Sequence, residues 1–134
     1  MFLLTKKMAI NSILLIVGFG ANCQVKAFDS AIGEWTYKEG TMEGQIMRGK
    51  MNFTDEKSAT YTANNGRIIF VTTDDNGRWE GYWIEDGGDE CSSEKDGSKL
   101  WGTAIFQFND DYSKFQGTWD MCGNGLGYTW LGYR

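Results

Sequence analysis

An all-β chain closing into an eight-stranded antiparallel up-and-down barrel is the fold this sequence predicts, and three observations carry it. Short runs of alternating apolar and polar residues fill the chain beyond residue 32, split by Gly, Asn and Asp. No long window places apolar residues at i, i+3, i+4 and i+7, so helices have no pattern to grow from. One side of each run is aromatic plus glycine, and the other is polar or charged. A sheet with one such face must cover it, and closure into a cylinder does so while removing unpaired edges.

Composition agrees. The 134 residues fit one domain. A mean hydropathy of −0.43 excludes a polytopic membrane protein. An aromatic share of 15% excludes a chain that stays unfolded in water. The sequence holds no histidine, which removes every mechanism built on an imidazole base and every metal site that needs histidine ligands.

Residues 1–27 read as a secretory signal peptide. Lys6 and Lys7 supply a short positive start, an apolar stretch over 8–21 follows, and Val25-Lys26-Ala27 puts small residues ahead of a cleavage site at Phe28. The stretch is shorter than the roughly 20 residues a membrane span needs. Cys23, behind Gly20-Ala21-Asn22, offers lipid anchoring as an alternative, which the asparagine disfavours. The expected organisation is a leader over 1–27 and a single barrel over 28–134, secreted or periplasmic. All 18 acidic residues fall after the leader with 10 of the 13 basic ones, so the barrel carries −8. Such a charge repels a phosphate backbone and suits a basic protein or a cation better, so nucleic acid is not an expected partner.

The strands follow in order at 33–38, 45–53, 58–63, 67–73, 78–85, 99–108, 114–120 and 128–134. Asn64-Asn65-Gly66 and Asp74-Asp75-Asn76-Gly77 supply residues that accept positive φ, as tight hairpins demand. Asn109-Asp110-Asp111 and Gly123-Asn124-Gly125 mark two more turns. Connections this short hold no helical crossover, so neighbours run antiparallel. Period-2 sorting then selects an interior. It takes Met47, Gly49, Met51 and Phe53 from the second run, and Trp79, Gly81 and Trp83 from the fifth. The sixth adds Leu100, Gly102, Ala104, Phe106 and Phe108, and the seventh Phe115, Gly117 and Trp119. Glycine normally weakens a strand, so its regular place beside a large ring implies rings lying over bare backbone.

The one long connection, 86–98, contains Cys91. In an oxidising compartment Cys91 and Cys122 form an even pair, and a disulfide between them is expected. Closing a loop of this length contributes about 3–4 kcal/mol in the chain-entropy model.

Chemistry is harder to find. The carboxylate pairs Asp74/Asp75, Asp89/Glu90 and Asp110/Asp111 sit in predicted turns, where acids are solvated and capping. Glu34 and Glu80 remain as acid–base candidates, yet both fall on the outward side of the pattern. Glu85, Asp86, Asp89, Glu90, Glu94 and Asp96 form an acidic stretch whose spacing does not match a helix–loop–helix calcium loop. No metal, cofactor or catalytic constellation is expected. The aromatics are the better lead. Trp35, Trp79, Trp83, Trp119 and Trp130 fall on the inward side, whereas Trp101, Tyr82, Tyr128 and Tyr133 are expected outside, free to stack on a sugar or grip a protein.

Gly33-Glu34-Trp35 on the first strand, with Arg134 on the last, resembles the calycin superfamily of lipocalins, avidins and fatty-acid-binding proteins. The resemblance implies that Trp35 closes one barrel end beneath the cation of Arg134. The inward rings serve first as core, and an interior of this width is either filled or holds one small ligand. The expected role is binding, with a small apolar or aromatic ligand in the barrel mouth against Trp79, Trp83, Trp119 and Trp130. An inhibitor that uses the acidic 86–98 loop against a basic protein is a second reading, and a small barrel isomerase or cyclase a third. A cavity walled by the tryptophans favours the first. A filled barrel with an ordered acidic loop favours the second, and a buried carboxylate of strongly raised pKa in the cavity favours the third.

Overall fold

A computed structural model describes residues 31–134 apart from residue 56, so the leader, its cleavage site and Cys23 lie outside the described residues. The strands are β1 (Gly33–Gly40), β2 (Ile46–Phe53), β3 (Ser58–Tyr61), β4 (Gly66–Thr73), β5 (Arg78–Glu85), β6 (Leu100–Phe108), β7 (Lys114–Trp119) and β8 (Tyr128–Tyr133). They form a closed barrel in sequence order, each antiparallel to the next. Closure comes from β1 pairing with β8, from Thr36 opposite Tyr133 to Glu39 opposite Trp130.

The ends of the strands depart from the alternation in informative ways. β1 runs two residues past Lys38, because Glu39 and Gly40 keep pairing with Met47 and Ile46 of β2. β3 stops at Tyr61, and Ala63–Asn65 makes a 3-10 turn with Asn64 and Asn65 at positive φ. Those asparagines, rather than Gly66, take the left-handed conformation that the hairpin needs. β4 carries a bulge between Phe70 and Thr72, which leaves Val71 exposed.

One end is packed solid with rings. Trp35, Phe53, Phe70, Trp79, Phe106, Phe108 and Phe115 are all at least 97% buried and form one cluster. Phe106 and Phe115 stack with centroids 4.3 Å apart, and Trp79 meets Phe108 at 4.9 Å. The glycines work as the alternation requires. Gly132 lies directly under the Phe115 ring, where any Cβ would occupy the ring's own volume, and Gly66 stands in the same relation to Tyr61.

A second, smaller core forms outside the barrel wall. Ile84, Cys91 and Trp101 are buried together, with Tyr82, Met121 and Cys122 packed against them. Cys91 and Cys122 are joined, their Cα atoms 5.4 Å apart. The linked segments fold over the outer faces of β5 and β6 and convert polar-side positions into core. Trp101, expected outside, is therefore buried, and its indole donates to the Ser93 carbonyl at 2.8 Å. Tyr82 is half-buried beside it, with Lys95 over both rings at 4.3 and 4.7 Å. Neither ring is free to stack on a sugar. Tyr128 is half-buried against Trp119 at 4.7 Å, while Tyr133 stays 41% exposed beneath Lys38.

Candidate functional site

The two barrel ends differ, and the difference locates the site. At the closed end the Arg134 guanidinium lies 4.4 Å over the Trp35 ring. Its Nε donates to the Tyr112 carbonyl and its Nη1 to the Ile32 carbonyl, each at 3.0 Å. Trp35 is held from below, its indole donating to the Ala31 carbonyl at 2.8 Å. Trp79 belongs to this sealed end.

The opposite end opens into a cavity of about 200 Å³, walled by Tyr61, Trp83, Leu100, Trp119, Met121 and Trp130. Exposed Met42, Glu43 and Met47, from the β1–β2 hairpin, form its rim. The structure thus brings together three of the four tryptophans expected in a mouth and leaves Trp79 apart. Trp83 is fixed because its indole donates to the Asp120 carbonyl at 2.8 Å. Asp120 is the hub of that wall. Its carboxylate accepts from the Thr103 backbone and hydroxyl, both at 2.7 Å, and from the amides of Gly123 and Gly125 at 3.1 and 3.0 Å. Burial by itself would raise this carboxyl, but those four donors outweigh it and hold it below the usual range. Trp119 and Trp130 have no such partner. Both indole N–H groups are buried and, among the described residues, lack an acceptor.

Beyond Glu43 on the rim, two more carboxylates line the cavity, Glu39 and Glu85, and the inward positions read from the alternation include neither. Glu39 continues the inward parity of Trp35 and Tyr37 once β1 is extended to Gly40. Glu85 continues that of Trp79, Gly81 and Trp83, although the acidic run beyond it reads as a loop. Glu85 accepts from the Tyr61 hydroxyl at 2.9 Å and from Asn64 Nδ2 at 3.1 Å. Burial first, then the charge of Glu85, pushes the Tyr61 hydroxyl far above its ordinary value, so it remains a donor. Glu34 and Glu80 stand elsewhere, on the outer wall, the first 3.7 Å from Lys50 and the second 3.4 Å from Arg78.

Burial pushes the Glu39 carboxyl up to about 7, with a further push from Glu85. Between its ordinary value of 4.5 and about 7, the folded protein keeps a proton that the unfolded chain has released. Stability linked to this group is therefore complete below 4.5 and is lost as pH rises through about 7. Glu39→Gln is expected to melt higher than the parent near pH 8 and to match it near pH 5. Identical melting curves at both values would show that Glu39 ionises there without penalty.

The 86–98 connection is ordered, but its charges are partly spent within the fold. Arg67 reaches Asp86 at 3.1 Å and Asp96 at 2.7 Å, and Asn65 donates to Asp86 at 2.8 Å. No group of three or more Cys, Asp or Glu side chains suited to a metal ion occurs among the described residues. No helix among them is long and apolar enough to cross a membrane. Compared with family models, curated proteins and solved structures, the chain finds no match.

Proposed function

We propose that this barrel is an exported, non-catalytic binding module of calycin type that takes one small, largely apolar or aromatic ligand into its open mouth. The asymmetry of the ends carries the reading: one is sealed by Trp35 under Arg134, and the other is left hollow between Trp83, Trp119 and Trp130. A dry apolar cavity of about 150 Å³ suffices to hold benzene. The mouth, at about 200 Å³, suits a single ring with a short substituent. The disulfide fits an oxidising compartment, in keeping with the leader read at 1–27.

Titrating the protein with a panel of single-ring compounds, followed by tryptophan fluorescence, tests this reading. Three indoles line the cavity, so a saturable change is expected with at least one compound. Silence across the panel would defeat it. A second reading, a small isomerase with Glu39 as acid–base group, draws support from the raised carboxyl at the cavity wall. Incubation of a bound aromatic ketone in deuterated water separates the two. A binding module returns it unlabelled next to the carbonyl, and an isomerase does not.

A further inference from the structure

We propose that the mouth selects a cation, a single-ring amine whose ammonium rests against Glu39 and Glu85 while its ring lies among Trp83, Trp119 and Trp130. This rests on the reading of the mouth as a ligand pocket and adds the chemical class that the pocket prefers. Glu39, Glu43 and Glu85 all line the cavity, and no lysine or arginine lines it. Neither Glu39 nor Glu85 has an ion-pair partner among the described residues. The donors that reach Glu85, the Tyr61 hydroxyl and Asn64, are neutral and leave its charge uncompensated. Electron-rich ring faces complete the cage, because indole and phenol faces attract a cation most strongly where water is excluded.

The strand order explains why the acids and rings meet. Pairing of β1 with β8 sets Glu39 directly opposite Trp130, and Glu85 follows Trp83 two positions on, at the next inward place of β5. A neutral apolar ligand would fill the space but leave the repulsion between Glu39 and Glu85, which line the same cavity, in place. An ammonium relieves that repulsion and forms charge-assisted hydrogen bonds with both. Uptake of the cation is therefore coupled to loss of the Glu39 proton. The titratable groups around Glu39 are Tyr37 on its own strand, Glu43 on the rim hairpin, Tyr61 on β3 and Glu85 on β5, and none of them is basic. Affinity for the amine should rise with pH through about 7.

The experiment compares 2-phenylethylamine with 2-phenylethanol, a neutral isostere, by calorimetry and tryptophan fluorescence on the oxidised protein. At about pH 8 the amine is expected to bind roughly tenfold tighter or more. That preference should shrink near pH 5.5 and in Glu39→Gln and Glu85→Gln, each checked for a cooperative melting transition. The Glu39 variant removes a charge that burial disfavours, so it keeps the test usable if the Glu85 variant does not fold. Equal affinity for both compounds overturns the preference for a cation while leaving the pocket intact. Failure of both to bind overturns the pocket reading as well. An amine preference unchanged in both variants places the ammonium elsewhere and also overturns the proposal.

Discussion

Replacing Trp35 with alanine is expected to cost about 3–5 kcal/mol, the range for deleting a fully buried large ring that its surroundings cannot collapse to fill. Trp35 is 1% exposed, touches Phe53, Phe108 and Phe115 within 5.8 Å of ring separation, and bonds the Ala31 carbonyl. Closing its space would mean moving four strands of a continuous ladder, so relaxation is small. For a domain near 100 residues each kcal/mol moves the melting temperature by about 4–8 °C, so a fall of roughly 15 °C or more is expected. Arg134 adds a second layer. A double-mutant cycle pairing Trp35→Ala with Arg134→Gln should return a coupling of about 0.5–2 kcal/mol, the worth of a partly desolvated cation over a ring. Additive effects would show that Arg134 acts only through its bonds to the Tyr112 and Ile32 carbonyls. Calorimetric melting of the three variants measures both quantities.

How much of this was legible beforehand depends on whether a residue's surroundings are local or distant. Side-chain parity along a strand is local, so the inward places of Trp35, Trp79, Trp83, Trp119 and Trp130 follow from period 2 alone. Glu39 and Glu85 obey the same parity and were missed for different reasons. A strand ended at Lys38 hides Glu39, while Glu85 closes the strand read at 78–85 but is grouped with the acidic run that follows instead of with the inward face. Extending each alternation by its last charged residue would have exposed both. Trp101 obeys parity too and is nonetheless buried, since its cover arrives from the 91–122 crosslink rather than from its own strand. The cavity was beyond reach for another reason. Whether five inward indoles fill a barrel depends on where the rings cluster along its axis. Trp35 and Trp79 crowd one end with five phenylalanines, and this leaves the other to Trp83, Trp119 and Trp130.

Opening the disulfide is the perturbation that reaches both cores at once. Cys91→Ala with Cys122→Ala, which avoids burying two hydroxyls, is expected to lose about 3–4 kcal/mol through the freed entropy of the unfolded chain. The loss should be unevenly distributed. The sealed barrel end belongs to the barrel core, whereas Cys91, Ile84 and Trp101 form the outer core covered by the segments the bridge ties together. Trp101 should therefore become accessible to a neutral fluorescence quencher well before the barrel itself melts. Met121 extends the consequence to the mouth, for it packs against both cores and forms part of the cavity wall. With Cys122 released, the turn carrying Met121 and the amides that hold Asp120 gain freedom, and Trp83 loses its fixed acceptor. Ligand affinity should then fall even where the barrel is still folded, because ordering that wall becomes part of binding. If the alanine pair keeps Trp101 shielded and binds as tightly as the parent, the outer core stands without the bridge and the mouth is shaped by the strands alone.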